Sequence, residues 1–160
     1  MTTSPTSRSF YRRVFATTLV LLGVWMLNAC ASKPVVTPVA LRAVASVDVN
    51  PDGRNRASPI LVRVYALKST GAFDSADFFS LFEKDQATLG GELVQREELL
   101  LRPGDSKPLQ MTLAADVKAI AVMGAYRDLE RARWRAVYAV EPGKPLNLTV
   151  IFGARQVQFQ

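Results

Sequence analysis

From Leu41 the chain alternates strictly. Leu41, Ala43, Ala45, Val47 and Val49 fall on one face and Arg42, Ser46 and Asp48 on the other, the period of a half-buried strand. Residues 50–59 (NPDGRNRASP) break the pattern with Pro, Gly, Asn and Asp and read as a long polar loop. Residues 60–68 (ILVRVYALK) resume it, with Ile60, Val62 and Val64 opposed to Arg63 and Tyr65. The period then changes. Ser75 can cap a short helix with Asp77 in its first turn, where the helix dipole favours an acid. Phe78, Leu81 and Phe82 share one face of that helix, and Gly90-Gly91 ends it. So aromatic a helix is expected to pack over the open end or edge of a sheet. Beyond it the pattern is strands and turns only: residues 93–102, 109–113, 118–127, 133–140, 146–152 and 154–159. Residues 118–127 (KAIAVMGAYR) read as a central strand, with Gly124 marking a bulge or a close backbone approach. In residues 133–140, Trp134 lies on the apolar register and is expected in the core, while Arg135 is placed to pair with Asp128 across the turn. About eight short strands and one helical excursion after the second predict an all-β fold, a two-sheet antiparallel β-sandwich.

The amino-terminal residues follow different rules. Arg8, Arg12 and Arg13 stand without an acid before an apolar run of 14 residues, Val14 to Leu27. That run is short for a bilayer span, which takes about 20 residues, and suits the apolar region of a secretory signal. It ends in Leu27-Asn28-Ala29-Cys30, which resembles the lipobox of bacterial lipoproteins: an aliphatic residue three before the cysteine and a small one just before it. Asn28 is a less usual member of that motif. The resemblance implies a diacylglycerol on the Cys30 thiol, cleavage before Cys30 and acylation of the new amino terminus. The competing reading is a free cysteine in a longer transmembrane anchor. Ala31 follows where inner-membrane retention signals place Asp, which favours the outer membrane. Arg12-Arg13 also faintly echoes a twin-arginine export signal. The domain plan is therefore a signal peptide over residues 1–29, a lipidated cysteine and flexible tether over 30–39, and a sandwich over 40–160.

Charge and composition narrow the function. The whole chain carries 20 Lys and Arg, 14 Asp and Glu, one Cys and no His. Removing the signal leaves 17 basic and 14 acidic residues, a net +3 over 131 residues. That modest excess gives no reason to invoke nucleic acid. Without His, both the commonest general base and the commonest metal ligand are missing. One cysteine permits no internal disulfide and no cysteine-rich zinc site. Glu97 and Glu98 point to opposite faces of a strand, so they do not form a convergent acid/base pair. Ser58, Ser69 and Ser75 lack a histidine to activate them. The run Asp48 to Gly53 approaches a calcium loop but has no Glu at the closing position. The chain is expected to be no enzyme, with no metal, no small-molecule substrate and no cofactor beyond the lipid on Cys30. The arginine-rich residues 127–135, with Trp134 among them, read either as a solvated hairpin or as a basic patch that docks a partner or anionic head groups.

Taken together, Cys30, the segment Asn50-Pro51-Asp52-Gly53 leading into Ser58 to Lys68, the stretch Phe73 to Leu89, Pro103-Gly104, and Tyr126-Arg127-Asp128 followed by Trp134-Arg135 resemble the outer-membrane lipoprotein TssJ family of the bacterial type VI secretion system. The resemblance implies a transthyretin-like sandwich and a structural role in the envelope-spanning membrane complex. The lipoprotein would sit in the outer membrane, facing the periplasm. It would hold the periplasmic C-terminal part of TssM, the IcmF-like inner-membrane protein, with TssL in the same complex. In the family the loop between the first two strands is implicated in that contact. Carried onto this chain, the contact falls on Asn50, Asp52, Arg54, Asn55 and Arg56. The alternative is a sandwich lipoprotein that binds or inhibits a cell-wall enzyme or ligand.

Overall fold

A computed structural model describes residues Pro34–Gln160. The expected eight strands are all present: β1 (Val36–Ala45), β2 (Ile60–Leu67), β3 (Leu93–Leu101), β4 (Ser106–Ala114), β5 (Ala119–Gly124), β6 (Arg135–Ala139), β7 (Leu146–Phe152) and β8 (Val157–Phe159). They form two four-stranded sheets, ordered β4-β1-β7-β8 and β3-β2-β5-β6. All neighbours are antiparallel except β1 and β7, which run parallel from Val39↔Leu146 to Ala45↔Phe152. The inward faces meet in one core. Leu41, Ala43, Val150 and Phe152 come from one sheet, and Ile60, Val62, Val64, Ile120 and Val122 from the other. As expected, β5 is central, buried along its whole length.

β1 starts and ends earlier than its alternation predicts. Thr37 and Val39 are already buried in the ladder, so residues 36–39 are sheet rather than tether. Pro38 is tolerated there because β7 pairing begins only at Val39, leaving that side of the strand without a neighbour. At the other end the Val49 amide bonds the Ser46 carbonyl, and the turn leaves Val47 exposed at its tip. Gly124 is a close-approach site: a Cβ there would lie 3.0 Å from Ile60, 3.0 Å from Tyr126 and 3.2 Å from Phe152.

The helical insertion is two helices, α1 (Gly71–Ser75) and α2 (Phe78–Leu89). Ser75 does not cap. Its hydroxyl donates back to the Gly71 carbonyl, while Asp77 caps α2 by accepting from the Ser80 amide. The insertion folds over the outer face of the β3-β2-β5-β6 sheet, not over an open end or edge. A second core forms there from Tyr65, Leu67, Phe73, Leu81, Leu89, Ala121 and Met123. Trp134 bridges this cluster and the inter-sheet core, half-buried and edge-on to Phe78. Arg135 does not pair with Asp128. It donates to the Phe73 and Ala76 carbonyls at 2.8 Å each, closing the end of α1, and its guanidinium lies over Trp134.

Polar groups fix α2 on the sheet. Asp85 is 6% exposed and accepts from Arg96 (2.8 Å), Arg63 (3.3 Å) and the Tyr65 hydroxyl (3.4 Å). Arg63 also donates to Glu98 and to the Leu81 and Phe82 carbonyls. Those carbonyls are available because α2 breaks at Lys84 (φ −138°, ψ 35°). The Gln86 amide, which in an unbroken helix would bond the Phe82 carbonyl, bonds the Asp85 carboxylate instead. Burial pushes the Tyr65 phenol up to about 12, so it stays a neutral donor.

Asp85→Ala should cost about 1–3 kcal/mol, because it takes the carboxylate acceptor from the buried Tyr65 hydroxyl and the Gln86 amide and leaves Arg63 with Glu98 as its one anion. Gly124→Ala should cost about 1–3 kcal/mol by overpacking. Urea unfolding of both, against Gly53→Ala as a position open on all sides, checks this.

Candidate functional site: the loop end of the sandwich

Strand direction reverses at every connection, so the loops sort into two ends. The amino-terminal start of β1, the insertion, and the β4–β5 and β6–β7 turns lie at one. The β1–β2, β3–β4, β5–β6 and β7–β8 connections lie at the other. This second end is tied into one surface. Ser46 gives its amide to Phe152 and its carbonyl to Gly104, and Arg133 pairs with the β7–β8 turn through Arg155 and Val157.

The β1–β2 loop is built by two of its own polar residues. Asn50 is 3% exposed and sits in the left-handed region at φ 49°, which Asn tolerates better than most residues. Its carboxamide donates to the Pro59 carbonyl and accepts from the Arg127 amide, both at 2.8 Å. It thereby closes the loop base and joins it to the β5–β6 connection. Asp52 accepts from the Arg54 amide (2.9 Å), the Arg56 amide (3.0 Å) and Arg56 Nε (2.8 Å). Asn55, at φ 57°, completes the tight turn that these bonds close. The Arg56 side-chain bond, with the backbone amides of Arg56 and Arg54, lowers the Asp52 carboxyl from 3.8 to about 2.

The five loop residues therefore divide. Asn50 and Asp52 spend their hydrogen bonds holding the loop. Arg54 and Asn55 are exposed, and Arg56 is tied to Asp52 while its side chain stays 70% exposed. Cys30 lies outside the described residues.

Two open grooves flank the loop. One, about 360 Å³, runs between Asp52, Asn55, Arg127, Asp128, Arg131 and Arg155. The other, about 610 Å³, includes Ser46, Asp48, Arg131, Arg133, Arg155 and Gln156 in its lining. Arg155 Nε bonds Asp128 at 3.2 Å, the role expected of Arg135. That pair spans 27 residues, and only the paired β5–β6 and β7–β8 turns bring it together. Tyr126, its phenol pushed up by burial, donates to the Gln156 carbonyl at 2.7 Å and stiffens the same junction. Among the described residues no group of three or more metal-ligating side chains occurs, and no helix is long and apolar enough to cross a membrane.

Residues 37–155 match the family model described as type VI secretion lipoprotein, VasD, EvfM, TssJ, VC_A0113. The chain belongs to this family. Among solved structures it is similar to the lipoprotein TssJ1 from Pseudomonas aeruginosa, with 37% identity and a TM-score of 0.75 over 79% of this chain and 95% of that one. It is also similar to Lip from Serratia marcescens, described as a membrane-bound component of the type VI secretion system, with 26% identity and a TM-score of 0.72 over 78% and 97% of the two chains. A chain of a type VI membrane complex matches at 25% identity with a TM-score of 0.68, covering 78% of this chain and 98% of that one. Among curated proteins none matches. The family is one of type VI secretion lipoproteins.

Because the Asp52 carboxyl is lowered, its stabilisation of the loop is present above the ordinary carboxyl range and is lost as pH falls through about 2. A carbon-detected NMR titration should place its midpoint there, and Arg56→Ala should raise it towards 3.8.

Proposed function

We propose that this TssJ-family chain is anchored in the outer membrane through a lipid on Cys30, faces the periplasm, and tethers the periplasmic C-terminal part of TssM in the envelope complex that also contains TssL. The observation that supports this reading most is the division of the sandwich into two ends. The strand next to the lipobox segment starts at one end, and four loops, each carrying at least one exposed arginine, gather at the other. A sandwich so arranged presents four loops together to a partner, at the end away from the start of β1. The kinship with Lip and with a chain of a type VI membrane complex points the same way. Within the β1–β2 loop, Arg54, Asn55 and Arg56 are the contact residues, and Asn50 and Asp52 act by shaping the loop. The exposed guanidiniums steer the encounter more than they set the final affinity.

Cys30→Ser should move the protein from the membrane fraction to the soluble fraction. In-cell crosslinking with the wild-type chain as bait, read by mass spectrometry, should recover a large inner-membrane protein with a periplasmic C-terminal domain. Recovery of a cell-wall hydrolase instead would favour the binder or inhibitor. Replacing Arg54 and Arg56 with alanine should weaken binding of the TssM C-terminal part roughly tenfold, chiefly through the association rate.

A further inference from the structure

The two grooves share Arg131 and Arg155, so they form one continuous concave surface between the β1–β2 loop and the paired β5–β6 and β7–β8 connections. Its acids are largely spent: Asp52 is held by Arg56, and Asp128 by Arg155. Arg127 and Arg133 have no carboxylate partner among the described residues, and Arg131 has only a loose one at 3.9 Å, with its side chain 77% exposed. Against these three cations stands Asp48, whose carboxylate already accepts from the Ser46 hydroxyl. Three guanidiniums with unfilled donors thus line a surface in which one carboxylate has no cation.

We infer that this double groove binds an acidic polypeptide segment, with Arg127, Arg131 and Arg133 as its cationic contacts. The inference rests on the proposed tethering role and deepens it, by adding a second surface beside the β1–β2 loop and naming the chemistry it takes. Guanidiniums accept carboxylates in bidentate geometry, which selects Asp and Glu side chains over a diffuse negative surface. The grooves, about 610 and 360 Å³, are open and adjoin at Arg131 and Arg155, which offers room for several residues of a polypeptide rather than a single enclosed anion. Gln156 and Gln158, along the second groove, supply amides for the backbone of such a chain. Lipid head groups are the less fitting ligand, since the strand adjoining the lipobox segment starts at the opposite end.

The test uses the full chain purified from membranes in detergent and two probes, a fluorescein-labelled decaglutamate peptide and the TssM C-terminal part. Decaglutamate should bind the wild type in a salt-sensitive manner. Arg131→Glu with Arg133→Glu should lower that binding at least tenfold at an unchanged unfolding midpoint, while the Arg131→Lys and Arg133→Lys pair, which keeps the charge and loses the bidentate fork, should bind between the two. No decaglutamate binding by the wild type, or equal binding by the charge-reversed chain, overturns the inference. If TssM binds the wild type and the reversed chain alike, the acidic-segment surface is overturned while the tether stands. If TssM fails to bind the wild type but decaglutamate binds as expected, the tether falls and the surface stands. Binding of anionic vesicles in preference to decaglutamate, lost on the same reversal, also overturns it in favour of a lipid surface.

Discussion

A charged side chain in the middle of a strand shapes the outer layer of this molecule. Arg63 lies on β2 with its side chain only 12% exposed, and a guanidinium so placed must find anions and carbonyls within reach. Glu98 on the neighbouring strand supplies one anion and Asp85 on α2 the other, while the broken helix turns two carbonyls towards it. Aromatic packing alone would allow the helix to slide over Tyr65 and Phe73. The arginine allows one registration. With that helix seated, the outer face of one sheet is closed, and the loop end remains the most irregular surface.

Organisation at that end comes from hydrogen bonds between loops as well as within them. Asn50 links the β1–β2 loop to the backbone after β5, and Arg155 links the β7–β8 turn to Asp128. The loops are thereby carried on a rigid scaffold, the usual arrangement for binding surfaces. The backbones that carry the arginines are held in place by these bonds, so association at this end would have chiefly side chains to order.

The strands were legible in the sequence because period-two alternation survives wherever one face is buried. Residues 60–67 and 119–124 illustrate the two forms of that signal, alternating and continuously apolar, although for β2 the opposite face also proves buried, under the helices. The misreadings have local causes. Thr37 fills an apolar position with a polar residue whose hydroxyl accepts from the Gly143 amide, so the start of β1 looked like tether. Ser75 and Asp77 are both good caps, and two helices lie where one was expected. The loop arginines were visible as charges. Which of them are spent depends on pairings such as Arg155 with Asp128 and Arg135 with the α1 carbonyls, set by sheet topology at separations that no sequence window spans.

The position of β1 has a mechanical consequence. It is hydrogen-bonded to β4 from Val36 to Val44 and to β7 from Val39 to Ala45, a central strand whose first residue follows directly on the amino-terminal segment. A pull applied to that segment and resisted at the loop end acts along the strand axis. It loads both ladders in shear, so many bonds must yield together instead of opening one at a time from a free edge. A chain pulled in this direction would resist extraction of its terminal strand through the rate of a cooperative rupture.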